Sequence, residues 1–283
     1  MSSSKPFIIE VCIDSVESAI AAVNGGANRL ELCANIGLGG GTTPSLGLFT
    51  AVQRAVPSVP IMIMIRSRTG DFLYTEHELD VMIEDIRVFK AADAHGVVLG
   101  VLTADGDIDV PHTTRLVNEG LPLEVCFHRA FDMTRDTICD DEGNYISPKS
   151  LEQIASIPGI TGILTSGHQK TAPEASLAIR GLLQHASTLN REREIPLTIL
   201  PGSGINPTTV CPLLKELLPI GLREIHLSAG NWVPTEMRYR RNGMGMGVGG
   251  EGEWGIWKTK EEKVREVRAI VDSVLREVQP QSH

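Results

Sequence analysis

"FIIEVCIDSVES" (residues 7–18) decides the fold. Residues 7–12 form an apolar run holding one acid, the pattern of a short strand buried on both faces. "IDSVES" then leads directly into "SAIAAV", which reads as a helix start, with Asp14 and Glu17 as a capping-box-like pair. No glycine interrupts this first turn. An open, doubly wound sheet usually carries a glycine-rich loop after its first strand. The stretch therefore points to the other parallel architecture, a closed barrel.

The same unit recurs along the chain. Further strands are expected at "RLELC" (29–33), "IMIMI" (61–65), "GVVLG" (96–100), "LEVCFH" (123–128), "GILTS" (162–166), "LTILPG" (197–202) and "EIHLS" (224–228). Helix starts are marked by Thr75 with Glu78 and Thr259 with Glu262, and by Thr43-Pro44, Ser147-Pro148 and Asn206-Pro207. Helices are expected near 75–94, 170–190 and 259–278. Eight strand-then-helix units predict an α/β fold, a single (β/α)8 TIM barrel over residues 1–283. Residues 136–147 and the glycine-rich 240–255 break the spacing and read as mobile loops. The second follows the last strand and is expected to cover the barrel mouth.

Bulk properties exclude several roles. A net charge of -9 argues against a nucleic-acid partner, which needs clustered Lys and Arg. No apolar run approaches the roughly 18 residues of a membrane span, and the start shows no secretion signal. The five cysteines are odd in number, widely spaced and mostly within apolar strands, as suits a reducing compartment. The expectation is a cytoplasmic location, with exchange into the nucleus left open.

Four strands share a tripeptide: Glu10-Val11-Cys12, Glu31-Leu32-Cys33, Glu124-Val125-Cys126 and Glu224-Ile225-His226. Residues i and i+2 of a strand face the same side. A glutamate facing outward would lie under the apolar helix layer at high cost, so these glutamates are read as inward. Cys12, Cys33, Cys126 and His226 then face inward one step nearer the C-terminal mouth. The same parity adds Arg66, His128, Ser166 and Ser228. The bland alternatives are cysteines packed as small hydrophobes and an ion-pair network of Glu10 or Glu31 with Arg66, Arg68 or Arg129.

Two chemistries fit such a mouth. One is a soft metal: thiolates and imidazole suit copper(I) and zinc, and Cys12 and Cys33 come from consecutive strands. The other is an enzyme acting on a small anionic metabolite. Its candidate catalytic residues are Glu10, Glu31, Arg66, His128, Arg129 and His226, with Arg68, Ser166, Gly202 and Gly204 holding the anion. The two glycines belong to "PGSGIN" after the seventh strand. A scaffold that binds proteins through the barrel surface is the third reading.

The segments "IEVCIDSVESAIAAVNGGANRLELCANIGLGGGTTPSLG", "MIRSRTGDFLYTEHELDVMIEDI", "GVVLGVLTADGDID", "FHRAFDM", "LTSG", "PGSGI" and "EIHLSA" follow in order through nearly the whole chain. In them the chain resembles the CutC copper homeostasis family. The resemblance implies a TIM barrel, self-association as a homo-oligomer, a role in copper handling and a copper(I) site involving cysteines, with Cys12 and Cys33 as first candidates. Polar mouth residues carried over by position are Glu10, Cys12, Glu31, Cys33, Arg66, Arg68, His128, Arg129, Ser166 and His226. The chain departs from the family pattern at Ser67 and Thr69, at Cys126 in place of threonine, at Leu227 where some relatives have cysteine, and at Gly230 in place of arginine.

Overall fold

A computed structural model describes residues 6–140, 142, 144–241 and 243–278. Residues 141, 143 and 242, within the two segments read as mobile loops, lie outside the described residues. Eight parallel strands form the sheet: β1 (Ile8–Ile13), β2 (Arg29–Leu32), β3 (Ile61–Met64), β4 (Gly96–Leu99), β5 (Glu124–Phe127), β6 (Ile160–Thr165), β7 (Thr198–Pro201) and β8 (Glu224–Leu227). The hydrogen-bonded order runs β7-β6-β5-β4-β3-β2-β1-β8. The two ends of that order face each other, with the Thr198 hydroxyl bonded to the Glu224 carboxylate and Gly202 against the His226 ring. This is the eight-stranded α/β barrel that the spacing predicts.

The helices are α1 (Val16–Asn24), α2 (Leu46–Ala55), α3 (Glu76–Ala91), α4 (Val110–Gly120), α5 (Lys149–Ala155), α6 (Ser176–Leu189), α7 (Val210–Leu217) and α8 (Glu261–Val278). The Thr75–Glu78 capping box at α3 is present in both directions. Other caps differ from expectation because the named side chains have better partners elsewhere. Ser15 rather than Asp14 caps α1, accepting from the Ser18 N–H at 3.3 Å, while Asp14 accepts from the Ile36 N–H. Ser45 caps α2, and Thr43 instead accepts from the Arg66 N–H at 2.9 Å. Thr259 closes a strand rather than starting α8.

That strand belongs to a feature the sequence reading lacks. β9 (Gly230–Val233) and β10 (Ile256–Thr259) pair antiparallel around the glycine-rich segment, with Trp232 opposite Trp257. Their rings meet edge to face at 5.5 Å. The hairpin rests on α1 through the Thr259 N–H to Ser18 Oγ bond. Trp232 presses on Gly37, where a Cβ would stand 2.5 Å from its ring. The segment's ends are thus tied to the loop after β2, at the mouth.

Two layers of core hold the barrel. Between strands and helices lie Ile9, Leu30, Ile63, Val97, Phe127, Ile163, Ile199 and Ile225, with helix residues such as Leu79, Leu182 and Val267. Inside the barrel Met62, Met64, Val98, Cys126, Leu164 and Leu200 pack together with Cys33. The interior positions on β8, β1 and β2 are polar.

Candidate functional site

The polar positions build from the barrel floor upward. Glu10 is in register with Arg29 on one side and with His226 on the other. Arg29 bonds both Glu10 and Glu224, the latter at 2.6 Å. Glu10 Oε1 meets His226 Nδ1 at 2.8 Å. Glu10, Glu31, Glu224 and His226 all have side chains under about a tenth exposed. The bland alternative pairs Glu10 or Glu31 with Arg66, Arg68 or Arg129; the structure pairs Glu10 with Arg29. A signal existed: Arg29 and Glu31 are two apart in "RLELC", so parity turns both inward.

The fourth glutamate differs. Glu124 is the first residue of β5, level with Gly96 at the start of β4. It lies at the N-terminal rim, half exposed, with His95 at 3.4 Å. A strand's first residue can share the inward parity and still stand outside the barrel.

Above the floor, the stagger of a closed barrel decides which groups meet. Cys12 is in register with Glu31, so Cys33 stands one inward step higher. The Cys12 thiol, a Glu31 carboxylate oxygen and a His226 ring nitrogen lie within 4.8 Å of one another, all buried. Cys33 is outside that trio, donating its thiol proton to Glu31 Oε2 at 3.5 Å. Glu31 Oε1 is buried without a hydrogen-bond partner.

Burial raises the Glu10 pKa, but Arg29 and His226 outweigh it and hold the group at about 2. Burial likewise opposes charge on His226, yet Glu31, Cys12 and Glu10 around it raise its pKa well above the ordinary value. Burial pushes Glu31 and Cys12 upward. Cys33 rises further, through burial and the neighbouring Glu31. The floor is thus an ionised network, and the thiols above it carry protons unless a cation replaces them.

A cavity of about 950 Å³ opens over this trio at the C-terminal ends of the strands. Of the residues expected there, Cys12, Glu31, Cys33, Arg66, His128, Arg129, Gly204, His226 and Ser228 line it. The others stand behind. Glu10 underlies His226. Gly202 packs on the flank of His226. Ser166 accepts from Arg129 Nη2 at 2.6 Å. Arg68 is spent on its own loop, bonding Glu78, Asp71 and the carbonyls of Thr69, Asp71 and Leu73.

Two further residues were missed. Asp132 ends "FHRAFD" and gathers the loop after β6, accepting from Thr165 Oγ1, the Ser166 and His168 N–H groups and Arg129 Nε. Phe72 stands against both Arg66 and His128. The loop conformation that brings Phe72 there leaves no local sequence signal.

An eight-stranded barrel with its polar cavity at the C-terminal mouth is a TIM barrel with its functional face in the usual place. The CutC family profile matches residues 7–231. The chain belongs to the CutC family. It is 39% identical over 265 residues to a CutC family protein of Chromobacterium violaceum, covering 94% of this chain and 98% of that one. It is 38% identical to the mouse copper homeostasis protein cutC homolog, covering 95% of this chain and 91% of that one. A solved CutC structure from Streptococcus agalactiae superposes with a TM-score of 0.65 at 26% identity, over 78% of this chain and 98% of that one.

Proposed function

We propose that this protein acts in copper homeostasis by binding copper(I) at the barrel mouth, with Cys12 and His226 as ligands. The observation that carries the reading is the buried trio of Cys12, Glu31 and His226 within 4.8 Å. Thiolate and imidazole are soft and borderline donors that suit copper(I). The unpartnered Glu31 Oε1 leaves a buried oxygen free to face a ligand at this spot. Cys33, beside Glu31, supplies a second thiol on the ion's way in or out. Copper over zinc rests on the names of the mouse and human relatives.

Binding displaces protons. The Cys12 thiol, held up by burial, must ionise, and His226 must give up its charge to coordinate. Affinity therefore falls as pH falls. No described helix is long and apolar enough to cross a membrane. A cytoplasmic setting and self-association complete the proposal, supported by the unpaired cysteines and by the family.

Anaerobic copper(I) titration against a competing chelator tests the reading. Cys12→Ala should weaken binding by more than the roughly 10–100-fold that loss of a supporting group costs. Cys33→Ala should weaken it less. Equal affinity and stoichiometry in Cys12→Ala would remove the site.

A further inference from the structure

The metal trio accounts for one part of the cavity. The ends of β3 and β5 supply another, with its own unmet chemistry. Arg66 and His128 are both more than nine-tenths buried. Arg66 Nε and His128 Nε2 have no hydrogen-bond partner. Buried donors are rarely left unpaired without a reason.

Each group is fixed in place. Arg66 spends Nη1 on the carbonyls of Gly39 and Gly41, at 3.4 and 3.2 Å, and Nη2 on that of Gly70 at 2.8 Å. Only Nε–H remains. His128 Nδ1 accepts from the Ala130 N–H at 3.2 Å. In the neutral ring that acceptor role puts the proton on Nε2. The ring is neutral because burial and the Arg66 charge hold its pKa at about 3. Two immobilised N–H donors, one on a cation, therefore share one wall.

The wall is also one contact surface. The Arg66 guanidinium carbon and the His128 ring centre each lie 4.9 Å from the Phe72 ring centre. Phe72 itself is half-buried and lines the cavity, on a loop whose carbonyl at Phe72 accepts from the Leu102 N–H. Beyond it the lining is largely apolar, with Ile36, Met64, Leu102, Leu164 and Ile205. A volume of about 950 Å³ is at the upper end of small-molecule sites, on the order of 300–1,000 Å³. It is far larger than a bare ion needs.

We propose that this cavity binds a small organic monocarboxylate with an apolar body, its carboxylate held by Arg66 Nε–H and His128 Nε2–H. Both nitrogens are shut off from water, so the carboxylate reaches them as the Phe72 ring turns aside. A charge-assisted pair of donors suits a carboxylate better than a neutral carbonyl. One cation beside a neutral ring matches a single negative charge. A phosphate dianion is disfavoured, since Glu31 and Asp71 line the same space. The apolar lining receives the body of the ligand. The proposal does not depend on the copper reading.

The test uses the full chain stripped of metal by a chelator. 4-Methylpentanoate, 3-phenylpropanoate and the amide of each are titrated by calorimetry, with thermal unfolding as a second readout. Each carboxylate should bind saturably and raise the Tm, and each amide should bind at least about tenfold more weakly, consistent with loss of a charge-assisted pair. His128→Phe should lower carboxylate affinity by a similar factor. Arg66→Lys, which keeps the charge and loses Nε–H, should do the same. Should Arg66→Lys fail to fold, His128→Phe carries the test alone. The proposal is overturned by no saturable carboxylate binding, by equal binding of the amides, or by unchanged affinity in His128→Phe.

Discussion

The barrel interior is divided. On β8, β1 and β2 it is filled by Glu224, His226, Glu10, Cys12, Arg29 and Glu31. On β3 to β7 it is filled by Met62, Met64, Val98, Cys126, Leu164 and Leu200. Both halves solve the same packing problem, since a TIM barrel interior is a filled core and not a pore. The apolar half does so by area and dispersion, at no cost in desolvated charge. The polar half buries ions that must be paired to be tolerated, and well-packed apolar residues would often serve stability as well or better. Stability alone therefore does not ask for the polar half. The position of Glu10, Arg29 and Glu224 does: they underlie the trio, fix His226 and set the field around the side chains proposed to hold the metal.

The hardest way to strain this contrast is to remove Arg29. Arg29→Met keeps bulk and leaves Glu10 and Glu224 without their shared cation. Breaking a buried pair from one side costs about 3–5 kcal/mol. Met62→Leu in the apolar half conserves volume and should cost less than about 1.5 kcal/mol. Urea unfolding of both variants compares the halves directly. A loss below about 1 kcal/mol for Arg29→Met, the scale of exposed ion pairs, would mean the floor is not held by charge.

Acid titration sharpens the contrast at a somewhat smaller scale. Glu10 moves from an ordinary value of 4.5 to about 2 in the fold. A carboxylate with a lowered folded pKa stabilises fully above the unfolded value. It loses that contribution as pH falls through the folded one. The window is therefore pH 4.5 down to 2, and the loss is on the order of 3 kcal/mol. His128 works in the same direction over a higher window, 6.5 down to about 3, because burial keeps its folded ring neutral. His226 has the opposite sign: its raised pKa stabilises below pH 6.5 and the contribution is lost as pH rises through the folded value. Unfolding free energies of Glu10→Gln should lose the Glu10 share of the slope below pH 4.5 and keep the His128 slope from near 6.5 down to about 3. Loss of both slopes together would show that the two walls titrate as one network.

The fold was legible because its signals are local. Each strand is a short apolar run, and each is bounded by turn residues that leave little choice of length. The inward facing of Glu10, Glu31 and Glu224 followed from parity, which is a property of one strand. What parity lacks is register between strands. Cys12 and Cys33 occupy like places in like tripeptides, yet the barrel stagger sets Cys12 beside Glu31. It also carries Arg29, and not a mouth arginine, to Glu10. Phe72 and the β9–β10 hairpin were illegible for another reason. One depends on how a loop folds back over the mouth, the other on two tryptophans meeting across more than twenty intervening residues.

The finest comparison is between two cysteines. Cys12 and Cys126 follow a glutamate at the same spacing, and both are buried with thiols whose pKa burial pushes upward. Their neighbours differ. Cys12 has His226 and Glu31 within ligand distance. Cys126 has Met62, Met64, Val98, Leu164 and Leu200 in its cluster, Gly162 across the strand pair, and a weak bond from Sγ to the Phe127 carbonyl at 3.7 Å. Its sulfur acts as a small hydrophobe. Cys126→Val is close to volume-conserving there and should shift stability by less than about 1.5 kcal/mol. It should leave copper(I) stoichiometry and affinity as in wild type, whereas Cys12→Val should remove both the thiolate and the site. Loss of copper(I) in Cys126→Val at unchanged stability would place the ion deeper, within the apolar half, and would dissolve the division of the interior on which the assignment of Cys12 rests.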